Sequence, residues 1–173
     1  MNDLLRVATV FSGIGAPEQA LHKLGVKNKI IFACDNGEIE LKKDINEIRN
    51  EIVQMDNINV NKYIKKLYAN SGKHNYVKDS YFANYDINDK DWHEDIRFLD
   101  GKPYKGKVDI IVGGSPCQSF SIIGKRAGLE DTRGTLFYDY ARIINDIQPK
   151  VFIYENVPGM PTHDKGNTWK VIS

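Results

Sequence analysis

Four short apolar runs, each closing on glycines or on a carboxylate, constrain this chain more than any other feature. They are Val7-Ala8-Thr9-Val10-Phe11 before Ser12-Gly13-Ile14-Gly15, and Ile30-Ile31-Phe32-Ala33-Cys34 before Asp35-Asn36-Gly37. The others are Val108-Asp109-Ile110-Ile111-Val112 before Gly113-Gly114-Ser115-Pro116-Cys117, and Val151-Phe152-Ile153-Tyr154 before Glu155-Asn156-Val157-Pro158. Runs this short and this rich in β-branched and aromatic residues read as strands buried on both faces.

Helical signals separate them. After the first run, Pro17 suits the opening of a helix, Glu18 the positive end of its dipole and Gly25 the left-handed residue past its last turn. Before the fourth run, residues 136–144 are apolar at helical spacing. Strands alternating with helices predict a parallel sheet covered on both faces. Ligands of such sheets bind outside the carboxyl ends of the strands, where each run delivers its unusual residues. The four clusters are therefore expected to line one crevice.

From residue 38 to about residue 91 the chain turns rich in Asn, Lys, Asp, Glu and Tyr. Helices are expected over Ile45–Ile52 and 63–68, the second closed by Asn70-Ser71-Gly72, and the stretch 73–91 has no clear period. Residues 166–173 read as the opening turns of an amphipathic helix with nothing after them, so the chain is expected to be C-terminally incomplete. A length of 173 residues suits one domain. No apolar run is long enough to cross a bilayer, and the start lacks a secretory layout, so a cytoplasmic protein without membrane association is expected. Two cysteines and four scattered histidines argue against disulfides and against a metal site. A net charge of +1 carries no nucleic-acid signature of its own.

Three clusters can carry chemistry. The turn Phe11-Ser12-Gly13-Ile14-Gly15 lets backbone approach a ligand closely, and Asp35 can accept from both hydroxyls of a ribose; a purely structural glycine turn is the alternative. Position 18, where a dinucleotide pattern wants a third glycine, holds Glu18, which would repel a pyrophosphate but not a nucleoside that bears no phosphate. Cys117, past a strand end and after Gly-Gly and Pro, reads either as an exposed nucleophile or as a small buried apolar residue. Glu155 is either an acid beside that cysteine or a partner of Lys150 or Arg142.

Phe11-Ser12-Gly13-Ile14-Gly15, Pro116-Cys117-Gln118-Ser119-Phe120-Ser121 and Glu155-Asn156-Val157-Pro158-Gly159, in this order and each after a strand, resemble the cytosine carbon-5 DNA methyltransferases. The resemblance runs from Arg6 to about Ile172, interrupted by the long 38–91 tract, and Ala16-Pro17 departs from the glycine usual after the first motif. It implies an α/β, Rossmann-like S-adenosylmethionine-dependent methyltransferase fold, a mostly parallel sheet with helices on both faces. It also implies a partial catalytic domain over residues 1–173 and no target-recognition domain.

Carried over position by position, the resemblance gives Phe11, Ser12, Gly13, Ile14, Gly15, Asp35, Asn36, Asp95, Ile96, Gly114, Pro116 and Leu136 to S-adenosylmethionine. Cys117 becomes the nucleophile and Glu155 its acid partner, with Pro116, Gln118 and Asn156 beside them. Ser119, Ser121, Lys125 and Arg126 fall on the segment that closes over DNA, although Lys125 and Arg126 taken alone read as solvated surface. The expected partners are double-stranded DNA, a C-terminal complementing chain or a cognate restriction enzyme, in a prokaryotic or phage-type, nucleoid-associated setting. Three readings stay open: a DNA enzyme, a cofactor-binding fragment or split subunit without activity of its own, and an enzyme acting on transfer RNA.

Overall fold

The computed structural model describes residues 4–116 and 135–156. Five parallel strands form one sheet: β1 (Leu5–Val10), β2 (Asn28–Cys34), β3 (Trp92–His93), β4 (Ile110–Gly113) and β5 (Val151–Tyr154), in the spatial order β3-β2-β1-β4-β5. The helices are α1 (Ala16–Lys23), α2 (Ile45–Ile52), α3 (Asn57–Ala69), α4 (Tyr76–Asn84) and α5 (Thr135–Ile147).

Side chains alternate across the sheet as the period of two requires. Ala8, Val10, Phe32, Cys34 and Ile111 pack with Tyr140, Ile143 and Ile147 of α5 in one buried cluster. On the other face Thr9 bonds Glu18 of α1, and Ala33 packs with Tyr81 of α4 and Trp92. Each large apolar side chain removed from water in this way contributes about 1.5–3 kcal/mol, so both helical layers are needed to hold the sheet. At the amino end Arg6 and Asp109 tie β1 to the start of β4 through two side-chain bonds of 2.8 and 2.9 Å.

The strand limits agree with the four apolar runs to within two residues, and α2 has the bounds expected. Asp44 caps α2 by accepting from the Asn46 and Glu47 amides, and Asp56 caps α3 at the Asn59 amide. The helix expected over 63–68 begins earlier, at Asn57, because that cap closes its first turn. The 73–91 stretch holds α4, opened by Asn75, which accepts from the Lys78 amide at 3.0 Å. The 38–91 tract also has apolar packing of its own, in which Ile39, Ile48, Ile64 and Tyr68 meet Phe98. Its polar composition concealed that cluster. The helix expected from Gly166 lies outside the described residues.

Candidate functional site

The strand order reverses between β1 and β4, so the loop after β1 and the turn after β4 face one another across the carboxyl edge of the sheet. The first loop is shaped by left-handed backbone at Phe11 (φ 54°), Gly13 (φ 54°) and Gly15 (φ 89°). Phe11 is the costly member, since a side chain rarely accepts that conformation. A Cβ placed on Gly13 would meet nothing within 4 Å, and Ile14 is 64% exposed, so the loop is open above.

Asp35 binds that loop to the end of β2. Its carboxylate accepts from the Gly13 amide at 2.8 Å through one oxygen and from the Gly37 amide at 2.8 Å through the other. Burial raises its pKa, while the two amides pull it back. Asn36 accepts from the Glu38 amide and donates to the Ile39 carbonyl, which closes the turn. Ser12 turns its hydroxyl inward, to Thr9 and to the backbone of Cys34, and so shapes the loop rather than offering a side chain to a ligand.

Glu18 stands in the first turn of α1 as expected, and it is turned inward. It is 2% exposed, and its Oε1 accepts from Thr9 Oγ1 at 2.8 Å and from the Tyr81 hydroxyl at 2.5 Å, while Oε2 is buried without a hydrogen-bond partner among the described residues. A carboxyl group thus sits under the amino end of α1, where a dinucleotide would lay its pyrophosphate. The loop suits a nucleoside ligand without phosphate, in keeping with its open surface at Gly13.

Three residues of the 38–91 tract support this loop. Asn75 donates to the Asp35 carbonyl at 3.2 Å, Tyr81 to Glu18, and Tyr85 to the Gly15 carbonyl at 2.7 Å. The Tyr85 ring lies where a Cβ on Gly15 would go. None of the three stood out in the sequence. The available signals were an Asn three residues before the amide it caps and two tyrosines four apart, one near the end of α4 and one just past it.

Asp95 is buried, and both its oxygens are taken, by the Arg97 side chain and by the Tyr68 hydroxyl at 2.7 Å. Ile96 is 3% exposed within the main core, and Leu136 packs half-buried against the same cluster. The Arg142 guanidinium donates to the carbonyls of Ile96 and Leu99 at 2.7 Å, which holds the Asp95-Ile96 turn against α5.

At the second turn, a Cβ on Gly114 would overlap the Glu155 carbonyl oxygen and come within 2.8 Å of Glu155 Oε2. Gly114 is therefore the residue that lets the β4 turn close on the β5 end. The Glu155 amide donates to the Gly113 carbonyl at 2.9 Å, and Glu155 is exposed. Lys150 pairs with Asp109 and Arg142 with Asp139 and Asp146, so neither holds Glu155. Asn156 donates to the Ser115 carbonyl, and Pro116 is exposed. Cys117, Gln118, Ser119, Ser121, Lys125 and Arg126 lie outside the described residues.

A separate cavity of about 1010 Å³ opens beside the amino-terminal half of β2, lined among others by Glu18, His22, Ile30, Tyr85 and His93. Phe11, Gly13, Asp35, Gly114 and Glu155 do not line it. Among the described residues no helix is long and apolar enough to cross a membrane.

The family model for C-5 cytosine-specific DNA methylase matches residues 5–173. The orphan methyltransferase M.SPRI of Bacillus phage SPR is 36% identical over 169 residues, 98% of this chain and 30% of that protein. The type II methyltransferase M.HpaII of Haemophilus parainfluenzae is 62% identical over 66 residues, 38% of this chain and 18% of its own length. The chain thus spans about a third or less of these relatives. In fold it is similar to the S. pombe Dnmt2 methyltransferase, with a TM-score of 0.54 at 23% identity over 97% of this chain and 41% of that one.

Proposed function

Because the chain belongs to the C-5 cytosine-specific DNA methylase family, we propose that it is the cofactor-binding and catalytic part of an enzyme that methylates carbon 5 of cytosine in DNA. The observation that carries this reading is the closure of Gly114 on Glu155, which puts the turn leading into Cys117 beside an exposed carboxyl group.

S-adenosylmethionine, the cofactor of this family, supplies an electrophilic methyl group. Gly13 offers it open backbone, the free lone pairs of Asp35 suit its ribose hydroxyls, and Gly114 and Pro116 wall the opposite side. Asp95 and Ile96 follow β3 at the same sheet edge; with Asp95 engaged by Arg97 and Tyr68 and Ile96 buried in the main core, they support the adenine end from behind.

Carbon 5 of cytosine is a weak nucleophile, so Cys117 has to activate it. Its thiolate adds to carbon 6, forming the S–C bond, while the Glu155 carboxyl donates to the ring nitrogen that gains electron density. The electron pair then available at carbon 5 would bond to the methyl group as the methyl–sulfur bond of the sulfonium breaks, its pair remaining on sulfur as a neutral thioether. Loss of the carbon-5 proton to a base and departure of the thiolate restore the aromatic ring. None of this is reachable within a duplex, so the cytosine has to leave the stack, at a cost of a few kcal/mol. Lys125 and Arg126 are suited to hold phosphates while it does.

Duplex DNA containing 5-fluorocytosine tests the reading, because fluorine at carbon 5 blocks the proton loss and traps the adduct. With S-adenosylmethionine, and with a complementing C-terminal half where the chain alone does not turn over, a covalent complex is expected that disappears in Cys117→Ser. Its absence in both arms rejects an enzymatic role. Transfer of labelled methyl groups to transfer RNA but not to DNA would replace the substrate and keep the chemistry.

A further inference from the structure

The pairing of β4 with β5 ends at Gly113 and Tyr154, with one more backbone bond from the Glu155 amide to Gly113. Past that bond, among the described residues, side chains of Ser115, Tyr154 and Asn156 join the two segments. The Tyr154 hydroxyl shares a 2.6 Å hydrogen bond with Ser115 Oγ and accepts from Asn156 Nδ2 at 3.0 Å, and the same Asn156 nitrogen donates to the Ser115 carbonyl at 3.1 Å. Ser115 stands two residues before Cys117, and Tyr154 and Asn156 flank Glu155.

The phenol itself is held in place. Phe137 of α5 meets the Tyr154 ring edge-on with centroids 5.5 Å apart, and Tyr140 lies tilted at 5.2 Å and donates its hydroxyl to the Ile153 carbonyl. A hydroxyl on a ring so packed is a fixed point, whereas one on a solvated side chain would follow the loops it bonds.

We infer that Tyr154 is a positioning residue for methyl transfer: through Ser115 and Asn156 it sets the separation between the turn that leads into Cys117 and the carboxyl group of Glu155. This rests on the roles proposed above for those two residues. It follows that removal of one oxygen atom, with the ring left in place, should damage the reaction without damaging the cofactor loop, which lies on the other side of the crevice.

The test compares the wild-type chain with Tyr154→Phe, Ser115→Ala and the double variant, each with the complementing half. Each single variant is expected to form the 5-fluorocytosine adduct about tenfold to a hundredfold more slowly, as misplacement of reacting groups does. Cofactor affinity by titration is expected to fall far less than the rate, since Gly13 and Asp35 keep their own bonds and only the Gly114–Pro116 wall shifts. The double variant should be no slower than the worse single one, because the two hydroxyls act as one unit. Hydrogen exchange in the peptide containing Gly114 and Ser115 should quicken in Tyr154→Phe, while that of β1 does not.

A wild-type adduct rate in Tyr154→Phe overturns the inference, as does a fall in cofactor affinity equal to the fall in rate, which would mark general damage. If the wild type itself forms no adduct, the proposed function fails, and the positioning claim is then decided by exchange alone. Unchanged protection at Gly114 and Ser115 would reject it.

Discussion

Gly114 and Glu155 touch so closely that no side chain fits between them: a Cβ on Gly114 would overlap the Glu155 carbonyl oxygen and reach 2.8 Å from Oε2. Both contacts belong to one residue, and one of them is to backbone, which cannot swing aside as the end of a flexible side chain would. Gly114 has no positive φ, so its role is one of space and not of backbone freedom.

Gly114→Ala is accordingly expected to wedge the β4 turn from the β5 end. Overpacking of this kind costs about 1–3 kcal/mol, and displacement of Glu155 by the order of 1 Å should slow adduct formation about a hundredfold. Melting temperature and the rate of covalent capture, measured on the same preparation, check both parts. A normal rate with a lowered melting temperature would leave Gly114 as a packing residue only.

Asp35→Ala should weaken S-adenosylmethionine binding by about 1.5–3 kcal/mol, roughly 10- to 150-fold, because the ribose loses a charged acceptor. It should also lower stability, since the Gly13 and Gly37 amides both lose their acceptor. Isothermal titration of the variant reads the first effect and thermal melting the second. Unchanged affinity would take Asp35 out of the site and leave it as the tie between two loops.

His93 should make the fold sensitive to mild acid. It is half-buried at the end of β3, hydrogen-bonded to the Tyr104 hydroxyl at 2.8 Å and met edge-on by the rings of Phe32 and Tyr104. Burial, chiefly, and the nearby Lys65 lower its pKa to about 4. An unfolded histidine titrates near ~6.5, so between ~6.5 and about 4 the unfolded chain takes up a proton that the folded chain refuses. Stability therefore falls as pH drops through that window, by about 2 kcal/mol at pH ~5 from this group alone. His93→Gln, which keeps a polar group beside Tyr104, should flatten the dependence of unfolding free energy on pH there. Parallel curves for the two proteins would show that His93 is not its source.

The amino-acid sequence by itself determined four of the five strands, the helix Ile45–Ile52 and the turns that face the crevice; the two-residue strand β3 (Trp92–His93) carried no apolar run to mark it. Those features depend on neighbours within about four residues: the alternation of apolar side chains, the caps, and the glycines that permit a left-handed turn. It also marked Gly13, Asp35, Gly114 and Glu155, because glycine and carboxylate at strand ends are chemically conspicuous, while Phe11 was marked by the family resemblance alone. Only the tertiary structure decided how those turns are held. Tyr85 reaches Gly15 across 70 positions, Tyr154 reaches Ser115 across 39, and Tyr68 with Arg97 fills both oxygens of Asp95. Glu18, placed by local rules in the first turn of α1, has its side chain turned inward to Thr9 and Tyr81. Such contacts follow from strand order and from the packing of α4 and α5, which no local pattern encodes. A polar residue in an aperiodic stretch reads as surface until the fold supplies its partner.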